Sequence, residues 1–394
     1  MFDARQPNLF THFHWFARTG DEFMKITGVT AIVLALPEVT AACDGTQDTC
    51  LIRIDTDAGI TGWGEVDSCP TVVKAIVDAP LSHQICNGIR NTLVGADPLA
   101  IDVCMQRMDE TMNYYGRTAA GAHAQAGVNI ALWDILGKAC DRPVHQLLGG
   151  PFKKKFRAYC SILFGDTPAE TGELARRFSD RGFTAIKFGW GPMGQSEEKD
   201  IALVREARKG AGDDVDILVD AGQVWDWKTA LVRARQFQEF GIFWLEEPLH
   251  PQDVDGYRRL SEESPVPIAA AEAEANFEEF ERMVVDGGLD WIQPDPGRCG
   301  ISTFVEAGKM AVRNRRKVVN HSFKSGVTLS ASLQALSAVP GTTVCEFCMA
   351  DSPLRHELTN EVFDIDDDGF ATLPEGPGLG VTINEAIIEK YRVG

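Results

Sequence analysis

Residues 216–248 read DILVDAGQVWDWKTALVRARQFQEFGIFWLEEP. Residues 216–220 form an apolar run ending on Asp220, and residues 242–246 form another ending on Glu246. Residues 227–240, between them, have the length and composition of a helix. Strand, helix and strand joined by short links imply parallel strands, by the handedness of the crossover. The period continues on both sides. Asp220, Glu246, Glu272, Asp295, His321 and Glu346 are separated by 26, 26, 23, 26 and 25 residues. A strand, a helix and two loops take roughly that length when they repeat in a closed barrel.

Working outward, eight strands are expected at 156–162, 185–189, 216–220, 242–246, 268–272, 291–295, 318–321 and 343–347. Helix-like stretches such as 170–181 and 197–209 fall between them. Such a barrel gathers its strand ends around one mouth, so distant residues meet there. Upstream, residues 29–36, 49–55 and 61–65 read as an antiparallel meander with a turn at 57–59. From about 80 to 148 the spacing is helical, with Val128, Ala131, Leu132, Ile135 and Leu136 on one face.

The length of 394 residues favours two domains over one core. A net charge of -19 repels phosphate backbones, which argues against nucleic acid as a partner. No apolar run is long enough for a membrane span, and no basic-then-apolar leader marks a secretory signal. Ten cysteines scattered without a framework read as reduced thiols of a cytoplasmic protein. Cys345 and Cys348 form a C-x-x-C, read as buried apolar residues rather than a redox or zinc pair. His12 and His14 form a lone H-x-H in a leading segment unlike the rest, too weak a signal for a metal site. The acidic run 364–368 lacks the ligand spacing of a calcium loop and reads as a solvated turn.

Asp220, Glu246 and Glu272 end three consecutive strands. Three hard oxygen ligands at matching register suit an octahedral Mg2+ site with room for water and substrate. Glu247 follows Glu246 and points the other way, so it is expected to be a structural ion-pair partner. Asp295 and His321 end adjacent strands, about 4.8 Å apart. A hydrogen bond between them would fix the imidazole tautomer and raise the basicity of its far nitrogen. Lys187, near the end of the second strand, could hold a substrate oxygen and offset its charge. A protonated Glu346, opposite the metal, would donate a hydrogen bond to an enolic oxygen.

ValAspAla around Asp220, GluGluPro at 246–248, the segment ending at Glu272, GlnProAsp ending at Asp295, AsnHis at 320–321 and Glu346 together resemble the enolase superfamily, mandelate racemase subgroup. TrpGlyGlu at 63–65, AlaLeuTrpAsp at 131–134 and HisGlnLeuLeuGlyGly at 145–150 are similar to its capping domain. The resemblance runs from Met24 onward. It implies an α/β fold: a modified (β/α)7β TIM-type barrel closed by an α+β cap. The expected division is an extension at 1–23, a cap at 24–150 completed by a tail at 370–394, and a barrel at 151–369. The resemblance also implies Mg2+ as cofactor, a small-molecule sugar acid as partner, and a homo-oligomer, commonly an octamer.

Three positions depart from the family pattern. Its second strand often reads Lys-x-Lys, but here Gly189 and then Trp190 follow Lys187 and Phe188. Asparagine often stands two residues after the first metal ligand; here it is Gly222. Glycine usually precedes the third ligand; here it is Ala271. Without a base at 189, a two-base racemase is disfavoured. Elimination needs only His321 and a departing β-hydroxyl, so the expected activity is dehydration of a sugar acid to a 2-keto-3-deoxy acid. A cycloisomerase or epimerase would keep the metal and His321, with Tyr114 or Tyr115 as a replacement base. A non-catalytic binding barrel would not need six aligned functional groups. Gln47, Asp48, Tyr114, Tyr115, Gln223, Arg298 and Lys324 are candidate substrate contacts.

Overall fold

The computed structural model describes residues 23–393. His12 and His14 lie outside the described residues, as does nearly all of the leading segment. The cap begins with an antiparallel sheet of β1 (Ile26–Ala35), β2 (Asp48–Thr56) and β3 (Thr61–Val66) in that order. The helix Ala119–Cys140 lies directly on β3. A Cβ at Gly62 would sit 2.2 Å from the Ala131 carbonyl oxygen, and one at Gly64 would sit 2.0 Å from that of Gly127. Glycine at these two strand positions therefore sets the close approach of helix to sheet.

That helix is not one-faced, as its apolar spacing suggested. Gln125, Asn129 and Asp134 are buried along with the apolar positions. The reason is a second neighbour, the barrel helix Pro296–Arg313. Ser302 on that helix accepts from Asn129 Nδ2 and Trp133 Nε1, both at 2.9 Å. Helical structure in the cap also starts earlier than expected, with Pro70–Asp78, whose Pro70 occupies the first turn.

The barrel comprises β4 (Lys155–Leu163), β5 (Ala185–Gly189), β6 (Asp216–Asp220), β7 (Ile242–Glu246), β8 (Ile268–Ala270), β9 (Trp291–Ile292), β10 (Lys317–Val318) and β11 (Val344–Cys348). The paired order is β10-β9-β8-β7-β6-β5-β4-β11, all parallel, with a helix after each of the first seven. The two ends of that path meet through side chains. Asn320 Oδ1 accepts from the Glu346 amide at 2.9 Å, and the Glu346 carboxylate accepts from the Ser322 amide at 2.5 Å. This is the expected (β/α)7β barrel with a capping domain.

Three strands are shorter than expected. β8 stops at Ala270, β9 at Ile292 and β10 at Val318. Glu272, Asp295 and His321 therefore stand beyond formal strands. Pro294 and Pro296 have no amide hydrogen to donate, which limits the ladder after β9. Single bonds still carry the alignment: Gln293 to Ala270, Val319 to Ile292 and His321 to Pro294.

After β11 the chain adds β12 (Phe370–Thr372), antiparallel to β4. It then reaches the cap, where Leu379 N donates to Asp134 at 3.0 Å and Val393 N to the Val33 carbonyl at 2.9 Å.

Candidate active site

The barrel interior is filled by one layer: Tyr159, Ala185, Leu218, Trp244, Ala269, Trp291, Val319 and Val344. Each comes from a different strand position around the ring. Strand side chains alternate, so the residue two further along faces the same way, towards the mouth. That rule delivers Ser161, Lys187, Asp220, Glu246, His321 and Glu346 to one place. Glu272 is three residues past Ala269. The backbone at Ala271 has a φ of 86°, and this turn brings Glu272 into register.

Trp190, Gln223, Glu247 and Ala271 all have positive φ, one at the end of each of β5 to β8. Such non-glycine conformations cost on the order of 1–3 kcal/mol each and cluster where a site needs an exact shape. Ala271, where the family usually has glycine, is the clearest case.

Carboxylate oxygens of Asp220, Glu246 and Glu272 lie within 4.8 Å of one another. All three residues are buried. Burial and then Glu246 push the Asp220 carboxyl well above its ordinary range. Oε2 of Glu272 is buried without a hydrogen-bond partner. Mutually repelling hard oxygens with an orphaned acceptor fit a divalent cation.

Lys187 sits beside this cluster, paired with Glu246, with Glu346 at 2.8 Å and with Asp220 at 3.9 Å. Burial opposes its charge, but Glu246 and Glu346 keep it protonated. Glu346 also accepts from Ser161 Oγ at 2.7 Å. Burial pushes the Glu346 carboxyl up, but Lys187 and His321 outweigh it and hold it down at about 2. These neighbours favour the ionised form, whereas donation to an enolic oxygen was expected only for a Glu346 that is protonated or shares a proton. Surrounded by donors, it is an ionised acceptor.

His321 Nδ1 lies 2.6 Å from Asp295 Oδ2, and its Nε2 lies 3.4 Å from Glu272 Oε1. Asp295 is fixed in turn by the Gly297 amide at 2.6 Å, capping the helix that follows. Burial works against a charged imidazole. Glu272, Glu346 and the bond to Asp295 outweigh it and push His321 up to about 10.

The other expectations divide. Arg298 does line the cavity, bridging Glu272 at 3.2 Å and the cap residue Asp67 at 2.7 Å. Lys324 Nζ is buried and donates to the carbonyls of Gly45, at 2.5 Å, and Asp48, at 3.0 Å. It fastens the loop between β1 and β2, and Phe323 lines the cavity instead. The Asp48 carboxylate lies 3.6 Å from Lys324 Nζ. Gln47 is used within its own loop, accepting from Thr40 and donating to the Ala42 carbonyl at 3.2 Å. Tyr114 packs on His83, and Tyr115 donates to the Asn87 carbonyl, so neither reaches the cavity. Glu247 has no cation partner among the described residues; it accepts from Gln223. Its extra turn at φ 37° buries it beside Glu272 rather than at a surface pair.

Sequence reasoning missed Asp67, Ser161, Cys43 and Trp190, all of which line the cavity. Ser161 was discoverable from the two-residue rule. Cys43 and Asp67 come from the cap, and their approach depends on how two domains pack.

Residues 28–149 match the family described as Mandelate racemase / muconate lactonizing enzyme, N-terminal domain, and residues 170–387 match Enolase C-terminal domain-like. The chain belongs to the enolase superfamily, mandelate racemase subgroup, and is an enzyme of that class. It is 30% identical to an arabinonate dehydratase of Saccharolobus solfataricus over 86% of this chain and 89% of that protein. It is 28% identical to a D-galactarolactone cycloisomerase of Agrobacterium fabrum, over 87% of this chain and 91% of that protein. A crystal structure described as a predicted mandelate racemase from Rhodobacter sphaeroides superimposes with a TM-score of 0.87 at 34% identity, covering 94% of this chain and 96% of that one.

Proposed function

We propose that the chain is a Mg2+-dependent hydro-lyase that dehydrates an aldonate or aldarate to a 2-keto-3-deoxy acid. One observation carries this reading. An aspartate-oriented imidazole stands 3.4 Å from a three-carboxylate cluster, and Gly189 offers no side chain as a second base. Asp220, Glu246 and Glu272 would hold the ion. A divalent cation held there would supply positive charge for the substrate carboxylate and would neutralise acids, Glu272 among them, that favour the charged imidazole.

His321 Nε2 removes the proton on the carbon next to the carboxylate, and Asp295 stabilises the resulting imidazolium. Lys187 places a buried ammonium where negative charge develops on the enediolate. Glu346 fixes Lys187 as a donor and accepts the Ser161 hydrogen. The imidazolium then returns its proton to the departing β-hydroxyl, releasing water, and the enol becomes the 2-keto acid. One proton and one hydroxyl leave, and no oxidant is involved.

The cycloisomerase relative motivates a second reading on the same groups. A sugar-acid library assayed for 2-keto acid with semicarbazide separates the two. Keto acid from an open-chain aldonate or aldarate is expected; turnover confined to lactones or anhydro acids would favour the cycloisomerase. His321→Asn should lower turnover by about 10²–10⁴ with Mg2+ still bound. Undiminished activity would remove His321 from the mechanism. Turnover that survives chelation would remove the metal.

A further inference from the structure

Two departures from the family pattern flank Trp190: Gly189 precedes it in the chain, and Gly222 lies against its ring. Trp190 follows β5 with φ 57°, is half-buried and lines the cavity. A Cβ built on Gly222 would lie 2.9 Å from Trp190 Cδ2 and 3.0 Å from Cε3. The fused edge of the indole therefore rests directly on the Gly222 backbone. Gly222 has φ 64°, a region asparagine tolerates better than most residues. The indole, rather than the backbone, is what excludes the asparagine. At Gly189 a Cβ would lie 2.7 Å from Asp220 Oδ2, so a side chain there meets a candidate metal ligand. The Trp190 ring thus takes the space an asparagine at 222 would need, and Gly189 leaves no side chain beside Asp220. β5 and β10, which lead to Trp190 and His321, are three places apart around the ring, so the indole and the base line different sides of the cavity.

We propose that Trp190 is a specificity-determining residue: its indole packs against the C–H bonds of the substrate's carbon chain, leaving proton transfer to His321 alone. The assignment rests on the sugar-acid reading above. An indole face gives dispersion and weak electrostatic attraction to C–H groups, and it cannot accept or deliver a proton. It prefers a chain that presents several C–H bonds over a head group without a chain.

The test compares binding in the presence of Mg2+ by calorimetry. The probes are D-arabinonate, D-xylonate, D-gluconate and D-galactonate, with glycolate as the same 2-hydroxy carboxylate lacking a chain. In the wild type at least one sugar acid should bind more tightly than glycolate. Trp190→Ala should reduce that preference about tenfold, equivalent to about 1.4 kcal/mol, with glycolate affinity unchanged. Trp190→Phe should recover most of it. Gly222→Asn, which displaces the indole while leaving it in the chain, should reduce the preference as Trp190→Ala does.

A preference that stays within twofold in both Trp190→Ala and Gly222→Asn overturns the proposal. So does a wild type that binds no sugar acid better than glycolate. Failure of the dehydratase reading looks different: the binding preference and its loss persist, but the wild type forms no keto acid.

Discussion

Glu65 is fully buried in the cap, yet its carboxylate serves the barrel. Oε2 accepts from the amides of Ser325, at 3.3 Å, and Thr328, at 3.1 Å, and from both of their hydroxyls; Oε1 accepts from Thr49 Oγ1 at 2.8 Å. Ser325 caps the helix Gly326–Ser337, so Glu65 supplies a charged acceptor to that helix's N-terminus from another domain. In Glu65→Ala the three hydroxyls can turn to other acceptors, but two buried amides cannot. At about 1–3 kcal/mol for each unsatisfied donor, the loss is about 4 kcal/mol. Unfolding entropy of about 2.1 cal/mol/K per residue makes that a drop of about 5 °C in melting temperature for a chain of this length. Glu65→Gln behaves differently. Its amide oxygen can face the four donors while its NH2 faces Thr49, whose hydroxyl turns to accept. Every bond survives and only the charge is lost, so the drop should be about 1–2 °C. Thermal melts followed by circular dichroism measure both. Equal losses in the two variants, or a loss under 1 °C in Glu65→Ala, would refute the reasoning.

Two further predictions concern charge at the mouth. In chelator, Asp220→Asn should melt above the wild type, because burial and Glu246 already favour the neutral form of that carboxyl. Mg2+ at about 100 times its Kd should raise the wild-type melt by about 3 °C, from about 2.7 kcal/mol of binding linkage, and should leave the variant unmoved; a wild type insensitive to Mg2+ would count against the metal site. Cys43 is a solvent-accessible residue on the cavity wall whose thiol is partly covered, and that partial burial, then Asp220 and Glu272, push it up to about 11. The thiolate is the reactive form, so at pH 8 only about one thiol in a thousand is ionised at any moment, and the alkylation rate should climb about tenfold per pH unit up to pH 10. A plateau near pH 8.5, read by peptide mass spectrometry, would show that those acids do not act on it.

Much of the site could be read from period alone. Asp220, Glu246, His321 and Glu346 stand two residues beyond the interior layer, and an alternating strand cannot present them elsewhere. Asp295 was legible from spacing, although β9 is only two residues long. Where reading failed, the cause was local geometry or distant packing. Glu272 was named from its spacing, but the strand there was read too long: its position is made by the turn at Ala271, which no propensity would assign to alanine. Gln47 has the chemistry of a ligand, but its own loop consumes its bonding capacity. Lys324 and Asp67 meet across the domain interface at 3.6 Å, a contact that sequence separation hides.

The charge state of Glu346 shows why residue type and place do not settle a role. A glutamate at a barrel mouth, facing other acids, is a reasonable candidate for a neutral donor. Neutrality, however, depends on which neighbours lie nearest. Lys187 at 2.8 Å and Ser161 at 2.7 Å both offer hydrogens, and the Ser322 amide offers a third. A protonated Glu346 would set its own hydrogen beside the Lys187 ammonium and the Ser322 amide, neither of which can accept it. Ionised, it satisfies all three and cancels one buried ammonium, which lets Lys187 remain charged beside the acids. The donor available to an enolic oxygen is then Lys187, with Glu346 as the residue that positions it.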